Sequence, residues 1–439
     1  MSVGDDVAAT AGTRDLLAAA AAHAADWLDT LTTRPVAPAR TSEEMLAALG
    51  GPLPDGPADP REVLDQLVAD MDGGLIAMGS PRFFGWVVGG AVPASLAADW
   101  MTSAWDQNAG LSMPTPAVAA IEEVAGAWLL ELLALPAHAS FAIVTGCHMA
   151  HVTALAAARH RVLERAGWNV EHDGLIGAPP VRVLVGAERH VTVDRALRLV
   201  GLGDARAEQV DVDEAGAIRA DALAAALDGH EGPAIVCAQA GNVNTGAIDP
   251  LDAIADIAHG AGAWVHVDGA FGLWAAASPR HRAEVAGAER ADSWATDGHK
   301  VLNVTYDSGL AFVADRAAHR AAMSVTAGYL PPPHEDGGPR DPMDFTPEFS
   351  RRARGVPLYA ALRSLGRTGV AELVDRLWAG ADRFAAALGE EPEAEVLAHA
   401  TNQVLVRFAD DDARTDAVVE ELQRDGTCFM TATTWRGRR

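Results

Sequence analysis

Between residues 140 and 315, short apolar runs alternate with stretches of helical periodicity, and nothing else in the chain restricts its fold as much. FAIVTG (141–146), VRVLVG (181–186), AIVCAQA (234–240), AWVHVD (263–268), ADSWAT (291–296) and GLAFVAD (309–315) are short and mainly apolar, so they read as buried strands. Helical patterns at 148–167, 191–200, 219–227 and 250–261 lie between them. A helix between two strands carries the chain back to begin a parallel neighbour, and such helices cover both sheet faces. The expectation is an α/β fold with a mostly parallel sheet sandwiched by helices. Ligands of an open α/β sheet bind beyond the carboxyl ends of the strands.

The flanking segments read differently. Residues 14–31 place Leu17, Ala20, Ala21, Ala24, Trp27, Leu28 and Leu31 at helical spacing. The Pro-, Gly- and Asp-rich segments 34–40 and 50–60 follow, with short helices at 42–49 and 61–72. So little core predicts that 1–75 is a helical arm lying on another surface, that of a second subunit. Helical patterns at 93–108 and 116–135 open a large domain over 76–325. LPPPHEDGGPRDPMDFTP (330–347) is too rich in Pro, Gly and Asp for an element and predicts a long functional loop. A helix at 355–388, a strand at 402–408 and a helix at 413–425 complete a small α/β domain, so 326–439 reads as mobile loop plus small domain.

Composition excludes several classes of function. Acidic residues number 60 against 34 basic ones, a net charge of −26, which repels nucleic acid and anionic lipid. No apolar stretch is long enough for a membrane span, and Asp5 and Asp6 stand where a signal peptide carries basic residues. Cys147, Cys237 and Cys428 form no C-x-x-C, as expected of reduced thiols in the cytoplasm. No G-x-S-x-G elbow occurs, which disfavours a hydrolase.

Thirty-three of the 34 basic residues are arginine, and the single lysine is Lys300. Arginine serves any surface charge, but its guanidinium does not deprotonate to a nucleophilic amine; a desolvated lysine does. The structural alternative is a lysine surviving by chance on a solvated face. The residues after each strand bear on that choice. They are Thr145-Gly146-Cys147-His148, Glu188-Arg189-His190, Asn242 with Asn244 and Thr245, Asp268-Gly269-Ala270, and Asp297-Gly298-His299-Lys300. This set meets the needs of pyridoxal phosphate. Lys300 offers the Schiff-base amine, and Asp268 a carboxylate for the pyridine nitrogen. The backbone N–H groups of Gly146, Cys147 and His148 offer a helix-start phosphate site, and His190 a ring to stack on the cofactor. Taken singly, Asp268 also reads as a strand-end turn residue and His190 as a loop histidine.

HVDGAFGLW (266–274), SWATDGHKVLNVTYDSGLAFV (293–313), PRFFGWV (81–87) and RPVAP (34–38) resemble the pyridoxal-phosphate group II decarboxylases, the aromatic-amino-acid and glutamate decarboxylase family. The resemblance runs from about residue 34 to 430; its specific part is Asp268 followed some thirty residues later by His299-Lys300. It implies the fold-type I architecture: a mostly parallel seven-stranded sheet, a small C-terminal α/β domain and a helical N-terminal arm, in a homodimer with a shared active site. It implies a Lys300 Schiff base, Asp268 on the pyridinium, His190 on the ring face, Ala270 packed against the ring and Thr245 near the ring hydroxyl. Cys147 and His148 stand where the family usually has small hydroxyl residues. Thr296, Asp297 and His299 fall in the other phosphate-side segment, where Asp297 is unfavourable unless it turns away.

For the substrate, the resemblance points to Phe84 and Trp86, although an aromatic run also reads as core. Asp106, Gln107 and Asn108 read as a helix cap or as a substrate rim contributed across a dimer. Family decarboxylases carry a proton-donating tyrosine in the long loop. None of Tyr306, Tyr329 and Tyr359 lies in 330–347, and the rough register puts Pro342–Phe345 there. A phenylalanine such as Phe345 at that place is associated with aldehyde synthases, while Tyr329 and His334 are alternative acids. The sequence also stops before a strand and helix of the family's small domain, an abbreviation or a truncation. Cys147, His148 and His151 lack a further metal ligand in sequence, so no metal is expected. The reading is a decarboxylase of a small amino acid, with an aromatic or apolar one mildly favoured. The alternatives are an oxygen-dependent aldehyde synthase, a C–C or C–S lyase, and a non-catalytic scaffold.

Overall fold

The computed structural model describes residues 12–325, 327 and 340–439. They form two compact units, one holding the chain up to Trp86 with Asp411–Arg439, the other Val87–Asp410. These divisions differ from the compositional ones at 75 and 325.

In the first unit, helices α1 (Thr13–Thr30), α2 (Ser42–Leu49) and α3 (Pro60–Met71) follow one another. α2 starts in a capping box, the Thr41 hydroxyl accepting from Glu44 N–H and the Glu44 carboxylate from Thr41 N–H. α3 starts at Asp59, whose carboxylate accepts two backbone N–H groups ahead of Pro60. Neither helix buries a residue, in keeping with the core-poor reading of this segment. The two ends of the chain are joined here: Val36 N–H donates to Gly426 O, and Phe84 N–H to Phe429 O.

The second unit opens with α4 (Pro93–Trp105) and α5 (Pro116–Leu132), each with proline in its first turn. α4 stops short of the expected residue 108 because Asp106 takes a left-handed φ of 48°. There follow β1 (Ser140–Val144), α6 (Cys147–Arg165), β2 (Arg182–Gly186), α7 (Val191–Leu199), β3 (Ala207–Val210), α8 (Ala220–Leu227), β4 (Ala234–Gln239), α9 (Leu251–Gly260), β5 (Trp264–Asp268), β6 (Ser293–Asp297), β7 (Gly309–Val313) and α10 (Arg316–Met323). The seven strands form one sheet in the order β1-β7-β6-β5-β4-β2-β3. Only β7 runs antiparallel to its neighbours. β1, β4, β5, β6 and β7 are buried at every residue, as two helical layers require.

Edge strand β3 escaped the apolar pattern because its sequence is AEQV and two of its residues are exposed. β8 (Ala394–Ala400) is likewise partly exposed and lacks an apolar run; it pairs antiparallel with β9 (Gln403–Phe408). Helix α11 (Gly355–Gly389) is broken at Gly366, whose φ of 62° explains the glycine. The expected loop 330–347 is corrected at its end: Pro342–Phe345 form a 3-10 turn with Pro342, Met343 and Phe345 buried. No described helix is long and apolar enough to cross a membrane.

Trp264, Trp274 and Trp294 fill the core with no more than 1% exposure. Their indole N–H groups reach Ser293 Oγ, Asp297 O and Ala288 O respectively, so each large ring is buried without an orphaned donor. A buried ion-pair cluster, Glu122 with Arg351 and Arg340, braces the sheet edge. Glu122 of α5 is fully buried and accepts from Arg351 Nη1 at 2.6 Å; the same guanidinium donates to Ala109 O and Ile143 O. Arg351→Ala would leave Glu122 only the more distant Arg340, 3.8 Å away, so urea unfolding should show a loss of about 3 kcal/mol. Removing the exposed Arg352–Asp99 pair should cost under about 1 kcal/mol.

Candidate active site

Parallel strands β5 and β6 are in register with His266 opposite Ser293 and Asp268 opposite Ala295. Each strand thus ends in a carboxylate, Asp268 and Asp297, at the same edge of the sheet. The start of α6 reaches this edge because β7 begins with Gly309, where a Cβ would lie within 2.5 Å of Gly146 backbone atoms. Gly146 itself is extended (φ 177°), and a Cβ there would find room.

The loop after β6 carries Lys300. A strap holds it: Gly89 N–H donates to His299 O, Gly90 N–H to Asn303 Oδ1 and Val92 N–H to Asn303 O. A Cβ on Gly89 would stand 2.2 Å from Lys300 O, so the approach needs glycine. Lys300 Nζ lies 3.6 Å from Asp297 Oδ2, with its side chain 18% exposed. His299 Nε2 lies 3.5 Å from the same oxygen, and its ring stacks on Tyr306 at 4.2 Å.

Asp297 does not turn away. Its Oδ1 accepts the Cys147 N–H at 2.6 Å, the helix-start donor expected for a phosphate. Burial pushes its pKa up against the attraction of His299 and Lys300. Asp268 is the opposite case. Burial also works against its charge, but attraction and hydrogen bonding from His151, with His190 and the Ala270 N–H, outweigh burial and hold its carboxyl well below the usual range. The surroundings of the two neighbouring carboxyls thus shift them in opposite directions, Asp268 down and Asp297 up.

His190 caps α7 with its Nδ1, 2.7 Å from Thr192 Oγ1, and burial lowers its pKa despite the nearby Asp268. It stands near enough to Asp268 for the two groups to interact electrostatically. Thr245 is buried, its hydroxyl donating to Ala215 O, so that proton is already committed to the backbone. Thr296 is buried with Oγ1 3.4 Å from Ala270 O. His148 Nε2, His299 Nδ1 and Ser308 Oγ are buried without a partner among the described residues, the kind of atoms a ligand satisfies.

The other expected residues stand in different surroundings. Phe345 faces no open cavity: it is 2% exposed, edge-on to His319, with the Arg316 and Arg340 guanidiniums over its ring. Asn108 is exposed, its Oδ1 accepting the Arg351 N–H. His334 and Tyr329 lie outside the described residues. Phe84 and Trp86 belong to the first unit; both are exposed, and Trp86 packs its ring near Phe83 and Phe429. The fold also brings Asp268 to Cys147 and His151, a three-residue set of ligand types that chain spacing did not reveal. The thiol is held protonated by burial and the carboxylate is engaged by His151 and Ala270, so this set is poor in free donors.

The sequence profile described as the pyridoxal-dependent decarboxylase conserved domain matches residues 44–410. The chain is 26% identical over 431 residues to an aromatic-L-amino-acid decarboxylase of Bacillus atrophaeus, covering 93% of this chain and 86% of that protein. It is 26% identical over 412 residues to a phenylacetaldehyde synthase of Arabidopsis thaliana, covering 88% and 82%. The crystal structure of Oryza sativa TDC with PLP and tryptamine superposes with a TM-score of 0.90 at 25% identity, over 97% of this chain and 92% of that one.

Proposed function

The chain belongs to the pyridoxal-dependent decarboxylase family, and from that premise we propose that it converts an aromatic or apolar L-amino acid to its amine with loss of CO₂. The observation that carries this reading is the placement of the chain's one lysine, 3.6 Å from Asp297 at the end of β6, beside the end of β5, where Asp268 is held in its charged form. Bound there, pyridoxal phosphate supplies an electron sink for a bond breaking at the substrate α-carbon.

The residues present fit that group. Lys300 Nζ would hold the aldehyde carbon, Asp268 the ring nitrogen and His190 a ring face. Gly146, Cys147 and His148 would hold the phosphate, with Thr245, Ala270, Thr296 and His299 around them. The Asp297 carboxylate on the Cys147 N–H supports the phosphate assignment, since a helix start that takes one anion takes another. It also competes with it. Asp297→Asn keeps the shape and removes the charge, so equilibrium dialysis should show pyridoxal phosphate binding tighter by about tenfold.

Among the described tyrosines, Tyr359 stacks on Trp128, whereas Tyr306 lies against His299, one residue from Lys300. Burial raises the Tyr306 phenol, so it keeps its proton at neutral pH. We assign it as the acid that protonates the substrate α-carbon. The similarity to an aldehyde synthase, and the absence of tyrosine from 330–347, favour the second reading of oxygen-dependent aldehyde formation.

Mass spectrometry of an amino-acid pool incubated in air with the protein and pyridoxal phosphate decides between them. One amine replacing its amino acid is the expected result, with Tyr306→Phe shifting product from amine to aldehyde. Aldehyde with peroxide from the parent protein would overturn it. Trp100, Met101 and Trp105 of α4 are exposed, which supports the homodimer that sedimentation would read as twice the chain mass.

A further inference from the structure

A line of hydrogen bonds runs through the sheet interior to His151, whose Nε2 stands within 3.5 Å of both Asp268 Oδ2 and Cys147 Sγ. Trp264 Nε1 lies 2.8 Å from Ser293 Oγ, and that oxygen 3.0 Å from His266 Nδ1. His266 Nε2 lies 2.9 Å from His151 Nδ1, and His151 Nε2 lies 3.5 Å from Asp268 Oδ2. All five residues are buried, and both imidazoles have no exposure at all. Two imidazoles in an apolar interior are costly unless their nitrogens are used.

The direction of the line follows from its far end. An indole N–H only donates. Ser293 Oγ accepts it and gives its own proton to its one other partner among the described residues, His266 Nδ1. His266 then carries its proton on Nε2 and donates to His151 Nδ1. That leaves the His151 proton on Nε2, facing the carboxylate. Burial supports a neutral His266 by pushing its pKa down to about 3.

We propose that His151 is a positioning residue: its Nε2 proton, fixed by the His266–Ser293–Trp264 line, holds Asp268 ionised and so sets how firmly the cofactor's ring nitrogen keeps its proton. This rests on the reading of Asp268 as the partner of that nitrogen. The other groups around Asp268 do not compete for the role. Cys147 touches both groups, its Sγ 3.5 Å from His151 Nε2 and 4.0 Å from Asp268 Oδ1, but it and Cys237 on β4 are held as neutral thiols by burial and so add no charge. His190 is driven toward neutrality by its own burial, and Asp249 and Asp297 are carboxyls that burial pushes up. Lys300 lies on the Asp297 side.

The test uses the holoenzyme and its His151→Leu, His151→Gln and Ser293→Ala variants. In His151→Leu, the pH midpoint of the cofactor's absorbance change should move by about one pH unit or more, and cofactor affinity should fall by about tenfold. His151→Gln returns an N–H donor and should recover most of both, which mere packing would not require. Imidazole nitrogen shifts in histidine-labelled, cofactor-free protein should place the His266 proton on Nε2, and Ser293→Ala should change that assignment. A His151→Leu protein with the parent's midpoint and affinity overturns the proposal, as does a His266 proton on Nδ1 in the parent. If the parent showed no cofactor absorbance at all, the role given to Asp268 and the proposal resting on it would both fall. The nitrogen shifts would still report the hydrogen-bond line separately.

Discussion

Lys300→Ala is expected to lose cofactor-linked visible absorbance and to lower kcat by at least about 10⁴-fold, the scale seen when a covalent nucleophile is removed. Lys300→Arg should fail equally. It keeps the charge beside Asp297 but supplies no amine that deprotonates. The arginine variant makes the test demanding, because 33 other basic positions of this chain are arginine. If a cation at position 300 only balanced Asp297, Lys300→Arg would be nearly silent. Thermal unfolding of both variants should stay close to the parent. The backbone strap through Gly89, Gly90, Val92 and Asn303 holds the loop without the side chain.

Asp268→Asn carries the second largest effect. The amide keeps the shape and one acceptor for the Ala270 N–H but removes the charge from the end of β5. The loss in kcat should be about 10²–10³-fold, the range for deleting one preorganised electrostatic partner. The pH profile gives a companion result. The Asp268 carboxyl is held well below its ordinary range, so its protonation lies below the acid limb of a rate profile measured above pH ~4. The sign is that of a depressed acid: its charge is present above the ordinary carboxyl pKa and is lost only as pH falls through the depressed one. An acid limb near neutrality in the parent that vanished in Asp268→Asn would contradict this account.

What was legible in the sequence follows from burial. β5 and β6 lie between two helical layers, so their apolar runs were plain, and the residues ending them, Asp268 and Asp297, were found with them. β3 at the sheet edge and β8 in the small hairpin carry polar faces and left no comparable trace. Phe345 was misread because the Pro, Gly and Asp around it look like loop, while its packing depends on His319, Arg316 and Arg340. The inward turn of Asp297 onto the Cys147 N–H was likewise hidden, since it joins positions far apart in the chain. Glu122 and Arg351 make the same point as a buried pair 229 residues apart. His266 did leave a signal, a polar residue in the middle of an otherwise apolar strand. Only the fold shows that it leads through His151 to Asp268.

Lys300 is the residue proposed to anchor pyridoxal phosphate. Borohydride reduction of the holoenzyme, followed by proteolysis and mass spectrometry, tests it directly, because Lys300 offers the chain's one side-chain amine. The account predicts a pyridoxyl mass increment on the peptide containing Lys300, absent when the substrate amino acid is added in excess before reduction. No increment, or one confined to the N-terminal amine, would contradict it.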